Sequence, residues 1–286
     1  MISPAQVRAR VSRAVVEAST TFRPDQLAAY QQAIRDCRDE RARWVLEQIF
    51  ANAEVAQRER RPLCDDTGIP HALLEVGEGA AFTGEHLAAI AEGIAAGQRA
   101  LPTRAMGVLG DDRQRVEQSA GLSDDPGAVV PPAFTVRTVP GSGVRLTVIM
   151  LGGGPEIRAR TYRVFHRRSL RNVLSTTADW ALEGTALLGC TPSVLAIGIG
   201  RTHYEATTLM IEALARGNLT QQNEWERMVT ERVNREGTGP LGLGGGPTVL
   251  ATFLRIGPQR ASGVRIVCLR PGCCMDPRRA TVELAE

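Results

Sequence analysis

The stretch RPLCDDTGIPHALLEVG, from Arg61 to Gly77, crowds Cys64, Asp65, Asp66, Thr67 and Gly68 into one turn and then alternates like a strand. A thiolate is a soft metal ligand, and carboxylates are hard acceptors suited to proton transfer. Burying such groups together is costly unless they are paired or bound to something. The chain has five further cysteines, Cys37, Cys190, Cys268, Cys273 and Cys274, and no C-x-x-C pair, so a zinc ribbon or finger has no support. Cys37 in a helical run and Cys268 in GVRIVCLR read as small buried hydrophobes. The other four lie beside Gly, Pro or charge. Cys64, Cys190 and Cys274 each sit in a turn next to regular structure, 126 and 84 residues apart, so only the fold can bring them to one site.

Two glycine clusters, LGGGPE at 151–156 and PLGLGGGPT at 240–248, let backbone amides approach an anion. Neither matches a phosphate-binding fingerprint, because no Lys follows and no acidic residue stands at the required distance. A tight turn accounts for either cluster taken alone.

The elements that must position these residues can be read from periodicity. Residues 1–60 form a helical N-terminal segment: PAQVRARVSRAVVEAST and the run from Pro24 to Arg60 carry apolar residues near 3.6 spacing behind a proline. HALLEVG, GVRLTVIMLGGG, SVLAIGIG and GVRIVCLR read as strands. TGEHLAAIAEGIAAGQRAL, FHRRSLRNVLSTTADWALEGTALLG, HYEATTLMIEALARG and NEWERMVTERVNREG read as helices, and Leu101 to Gly141 reads as a long irregular segment. Helices and strands mix without strict βαβ alternation, which predicts an α+β fold. Residues 1–286 are expected to form a single domain, with 61–286 as its cysteine-bearing part.

Composition narrows the function. With 43% hydrophobic and 23% charged residues, the chain is that of an ordinary soluble globular protein. Aromatics at 4% and a net charge of +3 argue against a nucleic-acid partner or attraction to a membrane surface. No apolar run approaches the roughly 20 residues of a membrane span, and the opening MISPAQVRARVSRAVVEAST lacks a signal core. These features point to a cytoplasmic protein with reduced cysteines.

In ordered blocks from Arg61 to Leu284, the sequence resembles the α part of the class I, oxygen-sensitive fumarase and tartrate dehydratase family of hydro-lyases. CDDTG looks like the family's C-Q-D-T-G, and LPTRAMGV like its arginine-bearing block. LGGGPE is similar to K-G-G-G-S-E, and CTPSVLAIGIGRT to a cysteine-proline block ending G-I-G-G-T. GTGPLGLGGGPTVLA and CMDPRRATVEL follow in register. The resemblance implies a [4Fe–4S] cluster held by Cys64, Cys190 and Cys274, with one iron left open as a Lewis acid. The family's register at Arg278 and Arg279 selects Cys274, and a one-residue slip would select its neighbour Cys273 instead. It further implies Asp66 and Arg104 as catalytic groups and Thr67, Gly153 and Gly154 as substrate contacts. A separate β subunit that completes the site and a pairing of α chains are also expected.

Departures from the family bear on the substrate. Asp65 stands where the family has a neutral glutamine, and Leu151 replaces a lysine; both weaken the hold on a small dianion. Arg201 interrupts G-I-G-G-T and restores a positive charge from another direction. His203 follows as a candidate acid or base, with an exposed cap histidine as the alternative. The expected substrate is a small hydroxy or unsaturated carboxylic acid other than fumarate or malate. A non-catalytic, small-anion-binding protein of the same fold is the competing reading.

Overall fold

The structure, a computed structural model, describes residues 2–104, 106–130 and 132–285. Local signals account for the helical start. The Ser3 hydroxyl accepts from the Gln6 amide while the Gln6 side chain accepts from the Ser3 amide, and Pro4 opens α1 (Pro4–Thr20). Pro24 opens α2 (Pro24–Asp36), and α3 (Glu40–Glu59) follows. Next come β1 (Ile69–Gly77), α4 (Gly84–Arg99), α5 (Asp112–Glu117), β2 (Ala133–Val139) and β3 (Val144–Leu151). The chain continues through α6 (Gly153–Glu156), β4 (Arg160–Phe165), α7 (Leu170–Ala186), β5 (Ser193–Gly200) and α8 (His203–Arg216). It then forms α9 (Glu224–Glu236), β6 (Val249–Ile256), β7 (Val264–Pro271) and β8 (Arg278–Ala285).

These elements sort into two compact units, interleaved along the chain. One comprises residues 1–21, 55–151 and 278–286, and the other 22–54 and 152–277. Both mix helices with a four-stranded sheet of parallel and antiparallel neighbours, an α+β arrangement.

In the first unit the sheet order is β2-β1-β3-β8, with β1 parallel to β2 and β3 antiparallel to both β1 and β8. Val7, Val11 and Val15 of α1 recur at fourfold spacing and pack with Ile90 and Ile94 of α4 over Leu74, Leu146, Val148 and Leu284 of the sheet. The segment read as irregular in fact supplies α5 and β2. β2 is a mostly exposed edge strand, so its sequence carries little hydrophobic pattern.

In the second unit the order is β4-β7-β5-β6. Every residue of β5, SVLAIGIG, is buried, as expected for a strand with neighbours on both sides and helices on both faces. Leu195, Ile197 and Ile199 pack against Val173, Leu174 and Ala178 of α7 and Val229 and Val233 of α9. On the opposite face α8 comes so close that a Cβ at Gly198 would lie 2.0 Å from the Ala206 carbonyl oxygen. Side chains close the free edge of β6: Gln222 accepts from the Thr252 amide, Glu226 from the Leu254 amide and Asn234 from the Val249 amide. β4 and β8 lie in stretches not read as strands from the sequence.

Candidate functional site

The cysteine-bearing turn of the first unit is anchored at both ends. Leu63 is buried and its amide donates to the Ser19 carbonyl at 2.8 Å; the Thr67 amide donates to the Asp65 carbonyl at 3.0 Å, which tightens the turn. Gly68 has φ +90°, and a Cβ there would stand 3.0 Å from the Leu151 nitrogen, so only glycine lets the turn enter β1. The Arg278 guanidinium, delivered by β8, donates to the Asp66 carbonyl. It is buried, and it is a site residue that sequence reasoning used only as a register mark.

Two of the expected catalytic groups meet at this turn. Arg104 lies 3.6 Å from the Asp65 carboxylate, with both side chains more than half exposed. The segment carrying Arg104 is tied down by Arg99, which donates twice to Asp125 at 2.8 and 2.5 Å. Those hydrogen bonds, with one from the Gly127 amide, hold the Asp125 carboxyl down at about 2. Thr67 differs from its neighbours. It is buried, and among the described residues its hydroxyl has no hydrogen-bond partner. A buried hydroxyl without a partner costs stability, so something other than stability must account for it.

The second unit builds the other cysteine loops. Gly189 ends the α7 region with φ +79°, and Cys190 follows. The Cys274 amide donates to the Cys190 carbonyl at 2.9 Å, which joins loops 84 residues apart in sequence. Around that bond the Ser193 hydroxyl donates to the Gly272 carbonyl at 2.6 Å, and the Thr191 hydroxyl to the Gly239 carbonyl at 2.6 Å. The second glycine cluster therefore buttresses the Cys190 loop. Cys273 and Cys274 are both buried, and Cys190 is half-buried. Burial first, then the nearness of Cys274, Cys273 and Cys190, raises the phenol of Tyr30 well above its usual range.

Gly153 and Gly154 open the short helix α6. Beside it lies Arg270, wholly buried, which reaches Asp276 at 2.9 Å, Glu156 at 3.0 Å and the Gly152 carbonyl at 3.3 Å. Burial alone would lower the Arg270 pKa, but Asp276 and then Glu156 outweigh it and leave it raised, so the guanidinium stays charged. The same Asp276 oxygen accepts from the Cys273 amide at 3.2 Å. Arg270 escaped sequence reasoning because it lies inside a strand, and its partners become visible only in the fold.

Arg201 and His203 are not brought to the Cys190 and Cys274 loops of their own unit. Cys190 precedes β5 and Arg201 follows it, so the eight-residue strand separates them by about 25 Å. Arg201 is instead held by Glu205 of the helix that follows it, α8, at 2.7 Å, and His203 is an exposed residue of the first turn of α8. A strand carries its two ends apart, and nearness in sequence gave no sign of it.

The donors present bear on the expected iron–sulfur group. Among the described residues no three His, Cys, Asp or Glu side chains converge on a position for a single metal ion. The second unit does gather Cys190 and Cys274 through a backbone bond, and the carboxylate of that loop, Asp276, is engaged by Arg270 and the Cys273 amide. Cys64 stands in a turn held to its own unit. Soft donors presented from loops, rather than a compact mixed-ligand cage, fit a thiolate-held group.

Comparison with known proteins places the chain as a whole. The fumarate hydratase (Fumerase) family matches residues 8–283. A Methanocaldococcus jannaschii protein named "Putative L(+)-tartrate dehydratase subunit alpha" is 25% identical over 277 residues, covering 92% of each chain. The L(+)-tartrate dehydratase subunit alpha of Escherichia coli strain K12 is 24% identical, over 82% of this chain and 76% of its own. Fumarate hydratase 2 of Leishmania major is 25% identical over 83% of this chain, which spans only 43% of that protein's length. No helix among the described residues is long and apolar enough to cross a membrane. A match running from α1 into the last strand is to the fold as a whole, and the chain belongs to the fumarate hydratase (Fumerase) family.

Proposed function

We propose that this chain is the α-type subunit of an iron–sulfur hydro-lyase, adding or removing water on a small hydroxy or unsaturated carboxylic acid. The observation that carries the reading is the bond between the Cys274 amide and the Cys190 carbonyl, which unites two cysteine loops that spacing alone leaves apart. Cys64, Cys190 and Cys274 would hold the [4Fe–4S] cluster, which supplies a Lewis-acidic iron that helps a hydroxyl group depart. Asp66, in the turn whose carbonyl Arg278 fixes, is the candidate base for the proton on the neighbouring carbon. Thr67 offers its buried hydroxyl to the substrate, and Gly153 and Gly154 line the approach.

Arg104 is the candidate carboxylate anchor, and Asp65 sets its selectivity. An Arg104 already beside Asp65 gains less from a second negative charge than an unpaired arginine would. The site therefore favours acids less charged than fumarate. One arginine with such a neighbour does not clamp both ends of a dicarboxylate, so a β subunit is needed to complete the site, and the α chains are proposed to pair.

Iron per chain after anaerobic reconstitution tests the ligand set. Cys64→Ser, Cys190→Ser and Cys274→Ser should each deplete iron, whereas Cys37→Ser and Cys268→Ser should not. Full iron in Cys190→Ser would sink the assignment. A screen of hydroxy acids with and without a candidate β subunit then tests the reaction, and Asp65→Gln should shift preference towards fumarate-like dianions.

A further inference from the structure

Between β7 and β8, four consecutive carbonyls are taken up by side chains from a single helix end. The Tyr30 hydroxyl donates to the Cys274 carbonyl at 2.6 Å, and Gln26 Nε2 lies 3.3 Å from the Met275 carbonyl and 3.4 Å from that of Asp276. Arg23 donates to the Pro277 carbonyl at 2.7 Å. Gln26 and Tyr30 are four apart and so share one face of α2, with Arg23 as its cap residue. All of this lies more than 240 residues from the loop in sequence.

The arrangement is built to hold still. Tyr30 is 1% exposed and Gln26 is equally buried; the Tyr30 ring stacks on Phe22 with centroids 5.4 Å apart. Arg23 is braced by Asp25 at 2.8 Å, whose carboxylate also accepts from the Leu219 amide at 3.0 Å. From the other side the loop is pinned by the Cys274-to-Cys190 bond and by Asp276 on the Cys273 amide. A turn ordinarily satisfies its carbonyls with its own amides or with water. Here buried side chains do so, at the cost of ordering an arginine, a glutamine and a tyrosine.

We infer that Tyr30, with Gln26 and Arg23, is a positioning residue: the helix-borne clasp presets the backbone of Cys274, so that its thiol is presented to the metal group in one conformation. The inference rests on the proposed role of Cys274 as a ligand, yet its physical content, a loop immobilised by α2, stands in the protein without iron. Preorganised ligands gain affinity because the ordering is paid in the fold rather than on binding.

The test uses Tyr30→Phe, which keeps the buried ring and removes only the hydroxyl, and Gln32→Ala on the exposed part of α2 as a control. The first readout is the rate at which iodoacetamide alkylates each cysteine in the iron-free protein, resolved by mass spectrometry of the peptides. Loss of one buried hydrogen bond, worth about a factor of five in an equilibrium, should speed modification of the Cys273–Cys274 peptide about fivefold. Cys268, buried in β7 of the same unit, should not change, and Gln32→Ala should match the wild type. Parallel acceleration at Cys268 would mean general loosening, and unchanged rates throughout would mean no clasp; either result overturns the inference. The second readout is the rate of iron loss to a chelator after anaerobic reconstitution, expected to rise several-fold in Tyr30→Phe. Wild type that takes up no iron counts against the cluster assignment, whereas wild type and Tyr30→Phe that load and release iron alike count against the clasp.

Discussion

Replacing Asp276 by alanine removes the principal counter-charge of a guanidinium that has no access to water. The Arg270 side chain is 0% exposed and Asp276 1%, and they meet at 2.9 Å. Glu156, the second partner, is 44% exposed and so partly screened. Breaking a buried pair from one side typically costs about 3–5 kcal/mol, because the remaining charge is left without compensation. Glu156 offsets a little of this, so Asp276→Ala should lose about 3 kcal/mol, while Glu156→Gln should lose under about 1 kcal/mol. Removing both charges, as in Arg270→Met with Asp276→Leu, should recover most of the loss, since an apolar pair of similar volume is often neutral or better. Urea unfolding followed by far-UV circular dichroism gives all four free energies. An Asp276→Ala protein within about 1 kcal/mol of the wild type at an unchanged denaturant slope would refute the electrostatic account of this loop.

Three further outcomes are expected. Thr67→Val should leave stability unchanged or raise it by about 1 kcal/mol, because the native hydroxyl is buried without a partner among the described residues, while substrate affinity falls; a loss of stability in thermal unfolding would contradict this. Asp125, held at about 2 against an ordinary 3.8, should contribute its stability in full above about pH 4 and lose it as the pH falls through 2. A carboxyl-detected NMR titration should find that midpoint in the wild type and a rise towards 3.8 in Arg99→Gln. Gly198→Ala should cost about 3 kcal/mol or leave the protein insoluble, since its Cβ would meet α8 backbone that has no room to give; soluble yield and melting temperature decide it.

How much of this could be read from the sequence depended on whether the signal was local. The elements α1, β1, β3, β5 and α8 were legible because a face or a whole strand is buried and the apolar spacing shows it. β4 and β8 were not: RTYRVF turns most of its side chains to solvent, and RRATVELA buries an arginine at its start. Patterning rules treat such a residue as exposed. The cysteine loops were marked by their Gly, Pro and charged neighbours. Their supports, Tyr30, Arg270 and Arg278, are ordinary residues in a helix and two strands, and only contacts across the fold reveal them.

The interleaving of the two units has a consequence for how the protein is born on the ribosome. β3 is complete at Leu151, but its second neighbour, β8, begins only at Arg278, and the intervening residues 152–277 belong to the other unit. At ordinary rates of synthesis that interval lasts on the order of ten seconds. During it the nascent first unit has a three-stranded sheet with one side of β3 unpaired, an edge to which other chains can attach. The Asp66 carbonyl also waits for its arginine, because Arg278 arrives with the same strand. The second unit can therefore fold and set its cysteine loops while the turn bearing Cys64 is still unfinished, and β8, when it emerges, both pairs the open side of β3 and fixes that turn.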